Sequence, residues 1–263
     1  MIGFIGAGNM ASAIIEGMHK AGFPEDGKIA VFDPDENKIK ALSQFGAVAA
    51  SCEAEIAESC DVIVLAVKPN IIASVLGKIK DIAEDKNPLF ISIAAGKTTE
   101  YLLSCAGYQA RFIRVMPNIN ALVGAAVSGI CSTENVSEED MAFAEKLCEC
   151  FGTAVKLDEK LFPIFSAIGG CSPAFTYMYI DALARAAVKN GMPKAQALKV
   201  AAQAVLGSAK TILESDEHPW TLVDRVCSPG GTTIEGVASL QNDSFEAAVM
   251  NAVQASYDKD KKV

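Results

Sequence analysis

The chain has 263 residues, 51% of them hydrophobic and 21% charged, with a formal net charge of −9. Such a composition excludes a disordered or fibrous chain and is enough to bury a core in one large domain or two ordinary ones. Acids and bases are interspersed, and a surface of net acidic sign repels phosphate backbones and anionic lipid. Nucleic acid and membrane surfaces are therefore set aside as partners, and a small molecule is expected.

Patterned sequence starts at Met1-Ile2-Gly3-Phe4, so no targeting segment is expected, and no apolar run approaches bilayer-spanning length. The expected location is cytoplasmic. Eight cysteines, at 52, 60, 105, 131, 148, 150, 171 and 227, include no Cys-x-x-Cys pair and have too few histidines nearby to hold zinc. No metal is expected, and the thiols should pack as small apolar side chains. Cys148 and Cys150 lie two apart on an expected helix, which points them to different faces.

In chain order, the runs Ile2–Ile5, Ile29–Phe32, 62–67, 89–93 and 112–115 are apolar on both faces, as strands covered by helices on both sides of a parallel sheet should be. Helical patterns lie around them at Asn9–Ala21, 35–45, 71–82 and 137–151. With right-handed crossovers this alternation gives an α/β Rossmann domain, doubly wound and mostly parallel, over residues 1–158. From Lys160 onward only helical patterns remain, so residues 159–263 are expected to form an all-α domain. Ser172-Pro173 supplies an N-cap and a first-turn proline for a helix over 173–190, and Gly191 ends it. A second helix follows over 193–215. Ala195, Ala197, Ala201, Ala202, Ala204, Gly207 and Ala209 are spread around its cylinder, and a helix apolar all round must be surrounded. A homodimer is the simplest answer.

Gly6-Ala7-Gly8-Asn9-Met10-Ala11 fits G-x-G-x-x-A directly after a strand and opens a helix, the context in which this pattern holds a dinucleotide. Gly6 permits the tight turn, Gly8 lets backbone approach a pyrophosphate, and the helix N-terminus offers free N–H groups. Asp33 ends the second strand. A carboxylate there accepts from adenosine ribose hydroxyls and repels a 2′-phosphate. Asp35 and Glu36 add to the repulsion, with Lys38 and Lys40 nearby in sequence to offset it. The cofactor is expected to be NADH or NADPH, the acids favouring NADH. Asp33-Pro34-Asp35 serves equally well as turn and N-cap chemistry for the next helix.

Only two histidines are present: His19 on the first helix and His218 before Pro219-Trp220 in an expected loop. Neither suits the general base that alcohol oxidation needs. Reduction of a carbon–nitrogen double bond demands less, because a protonated imine is already electrophilic and must only be oriented and anchored. Cys227-Ser228-Pro229-Gly230-Gly231-Thr232-Thr233 opens a further helix, and its backbone N–H groups can hold an anion such as a substrate carboxylate. The same residues also fit a helix start with nothing bound.

These motifs, with Ala66-Val67-Lys68-Pro69 and Met116-Pro117-Asn118 at two strand ends, together resemble pyrroline-5-carboxylate reductase over essentially the whole chain. The resemblance implies the last step of proline biosynthesis, in which NAD(P)H delivers hydride to the ring imine carbon of 1-pyrroline-5-carboxylate and gives L-proline. It also implies a helical dimerisation domain and, in many members, a decamer of five dimers. By position it implies that Ala66-Val67-Lys68-Pro69 borders the ribose and nicotinamide and that Ala94-Ala95-Gly96 lies beneath the nicotinamide ring. Thr233 would be the catalytic contact, bonded to the ring nitrogen. Ser228, Gly230, Gly231 and Thr232, through backbone N–H groups around 231–233, would hold the carboxylate, with Met116, Pro117 and Asn118 lining the other wall.

Lys68 is read as a solvated loop lysine rather than a base. Where members usually have Ser-Gly-Ser-Gly-Pro-Ala-Tyr, this chain has Gly169-Gly170-Cys171-Ser172-Pro173-Ala174-Phe175, which removes hydroxyls from the segment. Glu53 stands where an asparagine near the adenosine ribose is common. A hydroxyisobutyrate-type dehydrogenase would need a catalytic lysine early on the 173–190 helix, whose only lysine is Lys189 in the last turn. A coenzyme-binding sensor would have no use for the carboxylate loop.

Overall fold

The fold is taken from a computed structural model that describes residues 1–24 and 27–261. The chain divides into two compact units, one comprising Met1–Gly170 with Asp260 and Lys261, the other Cys171–Lys259.

In the first unit, strands and helices alternate. They are β1 (Ile2–Ile5), α1 (Asn9–Ala21), β2 (Ile29–Phe32), α2 (Glu36–Leu42), β3 (Ala47–Ala49), α3 (Glu53–Ser59), β4 (Val62–Leu65), α4 (Ile72–Lys86), β5 (Leu89–Ser92), α5 (Thr99–Ala106), β6 (Arg111–Met116), β7 (Ala126–Ser132), α6 (Glu138–Glu149) and β8 (Gly152–Lys156). The sheet order is β3-β2-β1-β4-β5-β6-β7-β8, parallel from β3 to β6, with β7 antiparallel to β6 and β8 parallel to β7. Alternate strand residues feed two separate cores. Phe4, Val31, Val64, Ile91 and Ile113 pack with α1 and α6, whereas Ile5, Ile63, Leu65, Phe90 and Phe112 pack with α3, α4 and α5. The strand runs are mostly apolar because both faces are covered, with Ser92 of β5 and Arg114 of β6 as buried polar exceptions.

Helix ends follow local chemistry. The Ser137 hydroxyl accepts from Asp140 N–H while the Asp140 carboxylate accepts from Ser137 N–H, a capping box that opens α6. Gly22 at φ 65° closes α1 and Gly107 at φ 74° closes α5, both in the left-handed region. The expected 35–45 helix is shorter, because after α2 the chain tightens into a 3₁₀ turn, Ser43–Phe45, ended by Gly46 at φ 82°.

Helical structure resumes at a 3₁₀ turn, Glu159–Leu161, and passes through α7 (Phe162–Phe165) and a π-helical stretch, Ser166–Cys171, into α8 (Ser172–Lys189). Residues 159–170 thus belong to the first compact unit although they are helical. Ser172 does not act as the N-cap expected of it. The chain is already helical at Cys171, so no first-turn N–H is left for the hydroxyl to cap. By length and composition the whole run Glu159–Lys189 is long and apolar enough to cross a bilayer, contrary to the reading of its sequence in pieces. Its Phe162, Ser166, Ala167 and Gly169 are buried in protein.

The second unit is built from α8 with α9 (Lys194–Leu213), α10 (Pro219–Val226), α11 (Thr232–Asn242) and α12 (Phe245–Asp260). Ala184 of α8 and Ala197 and Ala201 of α9 form its small buried core. Ala202 and Ala204 are exposed in the single chain, and so are large side chains such as Met178 at 73%, Leu206 at 61% and Met250 at 71%. Apolar surface of this extent calls for cover by another chain. The protein is accordingly expected to sediment as a dimer or larger, and Ala204→Glu to cost ~3 kcal/mol or more of association by placing an unpaired charge in that cover. A parent protein that is a stable, active monomer in sedimentation velocity would contradict this.

Candidate active site

β1 lies between β2 and β4, so connections leave it in opposite directions and open a crevice at the carboxyl ends of the strands. Ile5, Leu65, Ser92 and Arg114 stand side by side in register, which brings the loops that follow β1, β4, β5 and β6 to one edge. The coenzyme residues expected from sequence are therefore gathered together: Gly6 to Ala11 after β1, Asp33 after β2, Ala66 to Pro69 after β4 and Ala94 to Gly96 after β5.

Gly6 has φ +105°, and a Cβ there would stand 2.5 Å from the Ala66 carbonyl oxygen, so only glycine fits. Gly8 is the N-cap of α1, and nothing lies within 4 Å of where its Cβ would be. No side chain caps α1 and no acid occupies its first turn, leaving the N-terminal N–H groups to a ligand. These features fit a dinucleotide pyrophosphate.

Asp33 is buried and serves the turn chemistry that Asp33-Pro34-Asp35 was expected to supply. Its Oδ2 accepts from Ala7 N–H at 2.8 Å, tying β2 to the glycine turn, and its Oδ1 accepts from Asp35 N–H at 2.9 Å. Asp35, not Asp33, is the N-cap of α2, accepting from Asn37 N–H. Lys38 Nζ approaches Asp33 Oδ1 at 3.5 Å. Burial alone would raise the Asp33 pKa, but the two N–H donors and Lys38 outweigh it and hold the carboxyl below its ordinary value. Beside Asp33 is a cleft of about 380 Å³ that also touches Glu36, Lys40, Ala50 and Ser51. Lys40 is paired with Glu36 at 3.9 Å. Glu53, which opens α3, is paired with Lys78 at 2.7 Å, so its charge is partly neutralised.

Lys68, Ala95 and Gly96 are exposed and Ala94 is buried. Met116 ends β6. Asn118 is buried with its amide engaged, Nδ2 donating to the Gly169 carbonyl at 2.9 Å and Oδ1 accepting from Asn120 N–H at 3.2 Å. It clamps the loop after β6 to the π-helical stretch. A Cβ on Gly169 would lie 3.1 Å from the Phe165 ring, so Phe165 crowds the place where members carry a serine side chain.

In the second unit, Ser228-Pro229-Gly230-Gly231 forms a tight turn closed by Gly231 N–H to the Ser228 carbonyl at 3.0 Å, with Gly230 at φ +67° as a type II turn requires. Gly231 is the N-cap of α11 and no side chain caps that helix. Thr233 is half-buried and Thr232 exposed. Both histidines have structural partners. His19 packs on Phe45 with ring centroids 5.6 Å apart, and His218 is not in a loop interior but caps α10, its Nδ1 accepting from Trp220 N–H at 3.2 Å. Among the described residues no group of His, Cys, Asp or Glu is arranged to hold a metal.

Sequence reasoning missed one polar cluster. Arg114, in an otherwise apolar run, is buried and pairs with Glu159 at 2.9 Å, and Glu159 also accepts from Thr99. A charged residue inside a two-faced buried strand was the available signal.

Residues 159–263 match the family model described as pyrroline-5-carboxylate reductase dimerisation, and residues 1–96 match that described as NADP oxidoreductase, coenzyme F420-dependent. The pyrroline-5-carboxylate reductase of Escherichia coli (strain K12) is 44% identical over 263 residues, covering 100% of this chain and 97% of the relative. The solved structure of that reductase from Coxiella burnetii superposes with a TM-score of 0.94 at 31% identity, covering 99% of this chain and 97% of that one. The structure of Plasmodium falciparum pyrroline carboxylate reductase with NADP bound gives 0.86 at 34% identity, covering 99% and 97%.

The Asp33 bonds make a testable pH statement. Because its folded pKa lies below the unfolded value of about 3.9, its contribution is complete above that value and disappears as pH falls through the folded pKa. Asp33→Asn should therefore lower stability at neutral pH and flatten the acid limb of a denaturation profile below about pH 4. An unchanged acid limb would contradict it.

Proposed function

The chain belongs to the pyrroline-5-carboxylate reductase family, and we propose from that membership that residues 1–158 hold the coenzyme and residues 159–263 hold substrate and dimer interface. It reduces 1-pyrroline-5-carboxylate to L-proline by hydride transfer from NAD(P)H, the last step of proline biosynthesis. The family matches at 159–263 and 1–96 support the division, although packing places 159–170 with the first unit. A homodimer is the smallest unit in this reading, with a decamer of five dimers as the larger assembly. We place the reaction in the cytoplasm, where eight unpaired thiols persist.

The observation that carries the substrate assignment is the tight turn running into the uncapped N-terminus of α11. Backbone N–H groups of Thr232 and Thr233 point along the helix axis, where a carboxylate is favoured by both hydrogen bonding and the helix dipole. Ser228, Gly230 and Gly231 shape that cradle, and a Cβ on Gly231 would meet Ser228 Oγ at 2.3 Å. The Thr233 hydroxyl is assigned to the ring nitrogen, which changes charge as hydride arrives at the adjacent carbon. When bound, the reduced nicotinamide supplies that hydride. Orientation and electrostatic anchoring suffice for a protonated imine, consistent with both histidines being occupied elsewhere. Met116 and Pro117, at the end of β6, are assigned to the substrate as well. Asn118 is assigned with them, and its bonds to the Gly169 carbonyl and Asn120 N–H hold it in place.

At the other end of the coenzyme, Gly6, Ala7, Gly8, Asn9, Met10 and Ala11 are assigned to the pyrophosphate and Asp33 to the adenosine ribose. Ala66, Val67, Lys68 and Pro69 are assigned to the nicotinamide ribose, and Ala94, Ala95 and Gly96 to the ring. NADH is favoured because Asp33 and Glu36 line the cleft after β2 and the base beside Asp33, Lys38, is already turned toward it.

Two outcomes follow. Thr233→Val should lower kcat/KM for 1-pyrroline-5-carboxylate by about five- to two-hundredfold, equivalent to one hydrogen bond of roughly 1–3 kcal/mol, with NADH affinity nearly unchanged. Thr232→Val should matter less, and the reverse ranking of the two would remove the assignment. NADH should serve at least as well as NADPH in steady-state assays. A kcat/KM tenfold higher with NADPH, about 1.4 kcal/mol, would overturn that preference.

A further inference from the structure

Glu159 is half-buried at the start of the helical run, far in sequence from the strands it touches, and the reaction as described makes no use of it. Its Oε1 accepts from Thr99 N–H at 2.8 Å and from Arg114 Nη1 at 2.9 Å, and its Oε2 accepts from the Thr99 hydroxyl at 2.7 Å. Thr99 is the first residue of α5, so its N–H is one of those a helix leaves unbonded, and a carboxylate there is also favoured by the dipole. Arg114 lies over the Phe162 ring at 4.1 Å with its side chain 8% exposed, so this cation needs the carboxylate as its counter-ion. Burial alone would raise the Glu159 pKa, but Thr99 and Arg114 hold it below its ordinary value.

The short connection from β5 to α5 contains Ala94-Ala95-Gly96. At its start the buried Ser92 Oγ accepts from Ala94 N–H at 3.4 Å, and at its end Thr98 caps α5 through Tyr101 N–H. Among the described residues, Glu159 is the only group from outside α5 and this loop that the hydrogen bonds of Thr98 and Thr99 reach. Through Arg114 it holds the β6 end from which Met116-Pro117-Asn118 departs as well. We propose that Glu159 is a positioning residue of the reductase, an external cap on α5 that sets the height of the 94–96 loop against the nicotinamide and ties it to the β6 loop. The proposal rests on the assignment of that loop to the nicotinamide.

The test uses the full chain, with NADH affinity read from the fluorescence of bound nicotinamide and kcat measured separately, each variant well below its own unfolding midpoint. Thr99→Val removes one bond and leaves the buried ion pair intact; it should weaken NADH binding by about threefold, with Thr99→Ser restoring it. Glu159→Ala should weaken binding by about tenfold, and Glu159→Gln, which keeps an acceptor for Thr99 N–H and a donor for its hydroxyl, should return to within about twofold. If Thr99→Val and Glu159→Ala lower only the unfolding midpoint and bind NADH like the parent, Glu159 is structural and the proposal is overturned. Gly96→Ala separates the two claims, because Gly96 sits at φ +70° and the substitution distorts the loop directly. Weakened NADH binding in Gly96→Ala supports the loop assignment whatever Glu159 does, whereas parental binding there removes the premise.

Discussion

At the carboxyl edge of the sheet the Gly6 backbone passes so close to the Ala66 carbonyl that a Cβ would stand 2.5 Å from the oxygen. That approach is possible because β1 and β4 are neighbours in exact residue register, Ile5 beside Leu65, and because Ala66 N–H continues the ladder by donating to the Ile5 carbonyl at 2.9 Å. Gly6 N–H in turn donates to the Phe32 carbonyl at 2.7 Å, and Asp33 takes Ala7 N–H. The glycine turn is thus pinned from both flanking strands before any ligand arrives. Coenzyme binding then has little ordering entropy to overcome, which is what a preorganised anion site requires.

The readable parts of this fold are those where one local rule decides. The glycine turn was legible because backbone conformation and close approach both demand glycine, and β1, β2, β4, β5 and β6 because coverage on both faces keeps them mostly apolar. β3 was not legible, since it has three residues and only Ala47 is buried. β7 and β8 were missed for a related reason: β8 is half exposed at the sheet edge, and β7 carries serines among its apolar residues. Ser172 has the composition of an N-cap but lies inside a continuous helical path, a fact of tertiary structure that a motif cannot carry. Arg114 and Glu159 are 45 residues apart, and nothing local announces that they meet.

The site residues divide along the same line. Glycines, Asp33 and the helix start at Thr232 follow from sequence because their chemistry is local backbone chemistry. Asn118 was placed beside substrate through the family resemblance alone, and its bond to the Gly169 carbonyl is a tertiary contact that no local pattern announces. Phe165 crowds the Gly169 position, where a Cβ would lie 3.1 Å from its ring. The charge of Glu53 is moderated by Lys78, a pair invisible in sequence, whereas Glu36 and Lys40 stand four apart on α2 and could be read from it.

The central chemical claim is that hydride reaches the imine carbon of 1-pyrroline-5-carboxylate, and isotope transfer addresses it without reference to any single side chain. Purified protein turning over 1-pyrroline-5-carboxylate with NADH deuterated at both C4 positions should yield proline carrying deuterium at C5, read by mass spectrometry or NMR. Proline formed without deuterium at C5, or coenzyme left unoxidised with both NADH and NADPH, would contradict the account.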